Sequence, residues 1–135
     1  FNNKKITIIN DSKSTSFSSS LNLLKSYKNI FWIVGGLAKK GDKFNLPKKY
    51  TKNINCYIFG KDKKFFIKAF NKKLKFQVFS RLQQIIKKIK IDLKNKSHAN
   101  ILFSPAAASF DQFSNFEDRG KYFNNLIKKN NFLGN

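Results

Sequence analysis

Residues 101–120 read ILFSPAAASFDQFSNFEDRG, a stretch that passes from a short apolar strand through three alanines towards a helix rich in phenylalanine. The strand must end at Ser104 and Pro105, because proline has no N–H for a neighbouring strand and restricts the residue before it. The alanines that follow carry little bulk, so the backbone can approach another group closely. The stretch therefore predicts a corner at which a substrate can bind.

Small and aromatic residues alternate after the alanines. Ser109 places a hydroxyl on the turn, and phenylalanines 110, 113 and 116 recur every three residues, the spacing that puts side chains on one face of a helix. We expect these rings mainly to pack in the core. Glu117, Asp118 and Arg119 are expected to form the polar side of the same helix.

Apolar strands and amphipathic helices alternate along the rest of the chain. Residues 6–9 are all β-branched, and Phe17, Leu21, Leu24 and Tyr27 form a helical stripe. These patterns predict strands at 4–9, 29–34, 54–59, 76–79 and 100–103, helices at 17–27, 62–72, 81–94 and 116–129, and a loop with at most one helical turn at 37–53. Such alternation predicts an α/β fold: a Rossmann-like, doubly wound, mostly parallel sheet flanked by helices.

The chain is strongly basic, with 28 lysines and arginines against seven acidic residues and a net charge of +21. Such a charge is typical of proteins that bind nucleic acid or anionic membranes. However, lysine, asparagine, phenylalanine and isoleucine make up 73 of the 135 residues, and all four can be encoded with A and T alone. Only Arg81 and Arg119 are arginines, the residue that base and phosphate recognition favours. A basic α/β nucleic-acid-binding module is therefore the less favoured alternative.

The cysteine and histidine content and the hydropathy of the chain argue against several other classes of protein. Cys56 is the only cysteine, so the chain can form no internal disulfide, and a reduced, cytoplasmic compartment is expected. His98 is the only histidine and has no nucleophile motif or ligand cluster near it, which argues against a His-based triad or a metal site. The longest apolar run, 30–38, is shorter than the ~20 residues of a membrane span, and no signal peptide is evident.

Three polar or small-residue segments directly follow predicted strands, at 11–15, 35–39 and 104–109. In a doubly wound sheet, ligands bind beyond the carboxyl ends of the strands. Lys13 and Thr15 also lie beside a helix N-terminus, which favours anions, although Asp11, Ser12 and Thr15 could equally serve as caps of the turn and helix. The three segments are predicted to form one site.

The same three segments resemble motifs of a known family. Residues 10–15 (NDSKST), 35–39 (GGLAK) and 104–120 (SPAAASFDQFSNFEDRG) are similar, in this order, to motifs of the Mur ligases that add D-glutamate to the cell-wall precursor UDP-N-acetylmuramoyl-L-alanine. The similarity extends from about Ile6 to the last helix. Ser16 and Ala107 stand where the family more often has asparagine and cysteine.

The resemblance implies that residues 1–135 form the single C-terminal domain of a larger, monomeric, cytoplasmic enzyme of peptidoglycan biosynthesis. The family is ATP-dependent, and its Mg²⁺ ligands are expected in the central domain, which this chain lacks together with the UDP-binding domain. The expected partners are D-glutamate, UDP-N-acetylmuramoyl-L-alanine and those upstream domains, with no nucleic acid and no membrane. The isolated chain is expected to be inactive.

The resemblance also implies a role for individual residues. Asp11 is expected to contact the ATP ribose, and Lys13 the reacting phosphate as a catalytic residue. The residues expected to bind D-glutamate are Thr15, Lys39, Ser109, Phe110 and Phe116, with Lys39 and Ser109 on its two carboxylates and Phe116 acting through its main chain. From the sequence alone, Ser109 could instead be a helix cap, and nothing in the composition distinguishes Lys39 among 26 lysines.

Overall fold

Five strands lie side by side in one parallel sheet in the computed structural model, which describes residues 5–132. A separate antiparallel pair of two-residue strands lies apart from that sheet. In chain order the elements are β1 (Lys5–Asn10), α1 (Phe17–Ser26), β2 (Ile30–Gly35), β3 (Leu37–Ala38), α2 (Lys48–Thr51), β4 (Ile54–Phe59), α3 (Lys63–Phe70), β5 (Lys75–Val78), α4 (Leu82–Asp92), β6 (His98–Phe103), β7 (Ala107–Ala108) and α5 (Phe116–Lys129).

The strand order in the large sheet is β1-β6-β2-β4-β5. The chain moves outward from β1 through β2 and β4 to β5, and then returns to insert β6 between β1 and β2. Every pairing in this sheet is parallel, so the carboxyl ends of all five strands lie at one edge. The predicted doubly wound, Rossmann-like α/β fold is therefore confirmed.

Helices cover both faces of the sheet, and alternate residues of each strand point to opposite faces. In β2, Phe31 and Ile33 pack in the cluster that contains α4 and α5. Trp32 and Val34 pack on the other face, in the cluster that contains residues of α1 and α3. All six residues of β2 are buried, as expected of a central strand covered on both sides.

The structure differs from the sequence-based prediction in two places. The predicted loop at 37–53 contains one helical turn, α2, as expected, but it also contains the short strand β3. This strand was not predicted, because its two residues have no pattern that distinguishes them from a loop. Helix α5 spans the predicted residues 116–129, but Phe110 and Phe113 lie in the turns that precede it, at 109–115, and not on its face. The three-residue spacing of the phenylalanines was misleading there, because Asn115 caps the helix by accepting a hydrogen bond from the N–H of Asp118 at 2.8 Å.

Among the described residues, no helix combines the length and the apolar composition that a bilayer crossing would require.

The end of β2 depends on a glycine, which gives a first prediction. Gly35 has φ +138°, and an added Cβ would lie 1.9 Å from the carbonyl oxygen of Phe59 in β4. We expect Gly35→Ala to lower the free energy of unfolding by about 3 kcal/mol or more, because both the strained φ and the clash with backbone oppose it. Urea unfolding followed by circular dichroism would measure this.

Gly41→Ala is the matched control, because Gly41 also has a positive φ, +80°, but has open space where a Cβ would be. We expect Gly41→Ala to lower the free energy of unfolding by only about 1 kcal/mol, because it adds a strained φ but no clash. Equal losses in the two variants would contradict the steric account of the β2–β4 contact.

Candidate functional site

Four loops meet at the carboxyl edge of the sheet, following β1, β2, β4 and β6. The parallel pairing requires this, since β1 ends at Asn10 opposite Phe103 of β6, and β2 ends at Gly35 opposite Phe59 of β4. The three motif segments singled out in the sequence all lie in these loops. The structure thus brings together what the strand pattern predicted to converge.

A buried arginine links the first and last of these loops. Arg119, on the first turns of α5, is 1% exposed. Its Nε donates to Ser12 Oγ at 3.0 Å, its Nη1 donates to the carbonyl of Ala107 at 2.9 Å, and its Nη2 donates to the carbonyls of Ser12 and Ser14. The prediction that Arg119 lies on the polar side of the helix is therefore wrong, whereas Glu117 and Asp118 are exposed as predicted.

The electrostatics of Arg119 follow from this burial. Burial of the guanidinium lowers its pKa to about 10, while the charge of Asp111 acts in the opposite direction. The side chain therefore remains protonated at neutral pH. Among residues 5–132 the only ion pair joins Lys88 to Asp92, so the charge of Arg119 is solvated by the carbonyl oxygens of the loops. These bonds fix the path of residues 12–14.

Ser14 and the small strands hold three loops together. Ser14 Oγ accepts a hydrogen bond from the N–H of Ala106 at 3.2 Å, and the N–H of Ala107 donates to the Ser14 carbonyl at 3.4 Å. Strand β7 then pairs with β3, placing Ala107 opposite Ala38 and Ala108 opposite Leu37. Thr15, Lys39 and Ser109 each follow directly on one of these bonded residues, so the three predicted D-glutamate contacts come from loops that are bonded to one another.

The small residues at this corner allow the loop after β2 to approach the backbone of the loop after β6 closely. An added Cβ on Gly36, which has φ +132°, would lie 2.5 Å from the carbonyl oxygen of Ala108. Ala107 is fully buried beneath the corner. The glycines and alanines of the motifs thus serve backbone contacts between loops, which explains why the sequence lacks bulk at both positions.

A chain of hydroxyl groups lies under the corner. Ser104 Oγ donates to Asp11 Oδ2 at 2.7 Å and lies 2.5 Å from Ser20 Oγ, which in turn lies 2.6 Å from Ser14 Oγ. Trp32 Nε1 donates to the carbonyl of Ser104 at 2.7 Å. These contacts orient the carboxylate of Asp11 and hold the polar turn against the strand ends.

Four of the predicted ligand-binding side chains make no hydrogen bond within the described part of the chain. Lys13, Thr15 and Lys39 are exposed, and Ser109 is 2% exposed. Among residues 5–132, no hydrogen bond or ion pair involves the side chain of any of these four. Ser109 makes only main-chain bonds, accepting from the N–H groups of Gln112 and Phe113. The three exposed side chains are therefore available to a ligand, whereas Ser109 is nearly buried.

The aromatic residues of the corner are less buried than predicted. Phe110 is 68% exposed and Phe116 is 39% exposed, so the prediction that both rings pack mainly in the core is wrong. Phe110 lies in the turn at 109–115, and Phe116 begins α5 but is not among the residues on its buried face. Phe113 packs on Tyr122 with ring centroids 5.4 Å apart, and the main-chain carbonyl of Phe116 accepts a hydrogen bond from Ser12 Oγ at 2.7 Å.

The residues predicted to bind D-glutamate line neither of two sizeable cavities of the structure. One, of about 620 Å³, is lined by Arg81, Leu82, Gln112, Phe113 and Tyr122. The other, of about 590 Å³, lies between residues 41–45 and α3. Neither includes Thr15, Lys39 or Ser109. Within residues 5–132, no three histidine, cysteine or acidic side chains are grouped so that they could hold a metal ion.

Sequence reasoning missed Arg119 and the serine network. A signal for Arg119 was available, since a chain with 26 lysines and two arginines uses arginine rarely. Arginine offers a planar fork of donors that lysine lacks, and three carbonyls and a hydroxyl are bound here. The serine network could not be read from the sequence, because Ser104 and Ser20 are 84 residues apart.

Comparisons with known proteins identify relatives over most of the chain. No protein-family model matches it. UDP-N-acetylmuramoylalanine–D-glutamate ligases align with it at 35% identity in a Wolbachia of Brugia malayi, 33% in Rickettsia felis and 39% in Buchnera aphidicola of Baizongia pistaciae. The alignments cover 93%, 92% and 96% of this chain but only 26%, 28% and 29% of those proteins.

The resemblance to the D-glutamate-adding Mur ligases is thus confirmed over about nine tenths of the chain. The chain spans only about a quarter of the length of these relatives, which is consistent with a C-terminal domain of a larger enzyme.

The role of Arg119 in linking the loops after β1 and β6 can be tested by measuring the free energy of unfolding of Arg119 variants. We expect Arg119→Met to lower the free energy of unfolding by about 3 kcal/mol, because it leaves buried carbonyls without donors. Arg119→Lys should recover little of this loss, since an ammonium group lacks the planar fork. The measurement is urea unfolding of each variant.

The control is Arg81→Met, because Arg81 is exposed and its backbone N–H, which donates to Gln84, is retained. That variant should change stability by less than about 0.5 kcal/mol. A loss for Arg119→Met no larger than for Arg81→Met would show that the loops do not depend on the buried guanidinium.

Proposed function

We propose that this chain is the C-terminal domain of a ligase that adds D-glutamate to UDP-N-acetylmuramoyl-L-alanine in peptidoglycan synthesis, and that it binds D-glutamate and closes over ATP. The observation that carries the proposal is the convergence of three loops at one edge of the sheet, where Ser14, Ala107 and Ala38 are bonded in series. The named relatives support the same reaction.

The available side chains suit a small diacid. Lys39 carries a positive charge on an exposed, flexible stem, while Ser109 is nearly buried and its carbonyl accepts from the N–H groups of Gln112 and Phe113. We assign Lys39 to one carboxylate of D-glutamate and Ser109 to the other, with Thr15 beside them. A charge-assisted hydrogen bond contributes roughly 1.5 to 3 kcal/mol, which is enough to orient a ligand of this size.

Phe110 and Phe116 complete the proposed D-glutamate site. The exposed ring of Phe110 directly follows Ser109 and can cover the methylene groups of a bound glutamate. Phe116 is the first residue of α5, where a free N–H and the positive end of the helix dipole favour a carboxylate. The carbonyl of Phe116 is already bonded to Ser12, so the N–H is the group that remains for the ligand.

ATP is assigned to the other side of the polar turn. Asp11 is held by Ser104 and would contact the ribose, while the exposed Lys13 would approach the reacting phosphate. In the proposed reaction, ATP phosphorylates the L-alanyl carboxylate, and the amine of D-glutamate then attacks the acyl phosphate and releases phosphate. The domain's contribution is to position the amine and to stabilise charge. The Mg²⁺ ligands and the rest of the ATP site belong to the domains that precede it.

Phosphate release by the complete protein tests the proposal. With ATP, Mg²⁺ and UDP-N-acetylmuramoyl-L-alanine, release should require D-glutamate and should not respond to L-glutamate. Lys39→Ala should raise the KM for D-glutamate by about tenfold or more, because the charge-assisted bond is lost.

Lys40→Ala is the matched control, since Lys40 is the adjacent exposed lysine. It should leave the KM for D-glutamate nearly unchanged. Release without amino-acid preference, or an equal effect of the two substitutions, would refute the assignment of the site.

The chain by itself is expected neither to hydrolyse ATP nor to form the peptide bond, because no Walker A sequence, GxxxxGK[ST], occurs in its 135 residues. Incubation of the purified chain with all substrates, followed by a phosphate assay, would check this. D-glutamate-dependent phosphate release from the chain alone would overturn the proposal that catalysis requires further domains.

A further inference from the structure

The lysines are concentrated in one part of the chain. Residues 39–75 are just over a quarter of its length but contain 13 of the 26 lysines. The same segment has only two acidic residues, Asp42 and Asp62. An even enrichment in lysine across the chain does not account for this clustering.

Neither acidic residue of the segment neutralises a lysine. Asp42 Oδ2 accepts from the N–H of Phe17 at 2.8 Å, and its Oδ1 accepts from the N–H of Lys43 at 3.1 Å. Asp62 Oδ2 accepts from the N–H of Ala38 at 2.8 Å. The carboxylates of the segment are therefore engaged by backbone groups, and among residues 5–132 no lysine of the segment forms an ion pair.

Six of these lysines line two adjoining cavities. The larger, of about 590 Å³, lies between residues 41–45 and α3, and the smaller, of about 250 Å³, lies where β4 and β5 begin. Lys73 lines both cavities, which therefore adjoin each other. All six are exposed. They are Lys43, Lys68 and Lys73 in the larger cavity, and Lys52, Lys72, Lys73 and Lys75 in the smaller.

The larger cavity also offers apolar contact. Phe44 and Phe65 form part of its lining, and Lys73 Nζ lies 6.0 Å from the ring centroid of Phe44. Its volume lies within the range of roughly 300 to 1,000 Å³ in which proteins bind small organic molecules. Lysines bind phosphate groups as mobile point charges.

We propose that these two cavities form one binding site for a small organic anion that carries two or more phosphate groups. The lysines contact the phosphates, and Phe44 and Phe65 contact the carbon portion of the ligand. Neither cavity is lined by Thr15, Lys39 or Ser109, so the proposal uses none of the side chains assigned to D-glutamate, and either proposal can fail without the other. The absence of arginine from the cavities argues against nucleic acid, whose recognition favours that residue.

Calorimetric titration of the chain with inorganic tripolyphosphate, at an ionic strength of about 0.15 M, tests the proposal. The chain suits this experiment because both faces of its sheet are covered by its own helices. Lys68→Gln/Lys73→Gln should weaken binding by about tenfold, since two charges are lost from the larger cavity. Both residues are exposed, and circular dichroism would verify that the variant is folded.

A matched control separates this site from diffuse attraction. Lys87→Gln/Lys121→Gln removes the same charge from exposed positions outside the segment and should change the affinity by less than about twofold. An equal loss in the control, or no measurable binding of tripolyphosphate, would overturn the proposal.

A twenty-nucleotide oligothymidylate provides the last arm of the test. The oligonucleotide could bind more tightly per phosphate group than tripolyphosphate and lose this binding in Lys68→Gln/Lys73→Gln. That result would contradict the assignment to a small anion and indicate nucleic acid. Weaker binding per phosphate group would support the proposal.

Discussion

The corner of this fold depends on one buried guanidinium. Arg119 bonds to Ser12, Ser14 and Ala107, and so connects the loop after β1 to the loop after β6. The parallel sheet brings these loops to the same edge but does not determine their conformation. The buried donors do so, because each carbonyl that they bind would otherwise be desolvated without a partner. Removal of this charge from water also lowers the pKa of Arg119 to about 10.

The remaining contacts of the corner build on this one. Once residues 12–14 are fixed, Ser14 bonds to Ala106 and Ala107, and β7 pairs with β3. Gly36 and the alanines allow this approach because they have no side chain, or only a methyl group, at the contact. Polar side chains are then left without internal partners where the three loops meet. That combination of a rigid backbone and available polar groups is the property that a binding site for a small charged molecule requires.

Much of this could be predicted from the sequence, for identifiable reasons. The strands of the sheet are short apolar runs bounded by polar residues, so their existence and the α/β alternation could be predicted, as could the loops that gather at one edge. The failures occurred where tertiary contacts override local pattern. Phe110 and Phe116 have helical spacing but follow a turn, and Arg119 looks like a surface residue of an amphipathic helix until Ser12 and Ala107 are placed beside it. The roles assigned to Lys13, Thr15, Lys39 and Ser109 stay predictions.

The central claim, that the three bonded loops form one site for D-glutamate, is tested most directly by nuclear magnetic resonance. Backbone amide shifts of the ¹⁵N-labelled chain would be followed during titration with D-glutamate and, separately, with L-glutamate. The account predicts that D-glutamate shifts amides at 12–16, 36–40 and 104–117, with smaller changes for L-glutamate. Equal responses to the two enantiomers, or shifts confined to residues outside these loops, would contradict it.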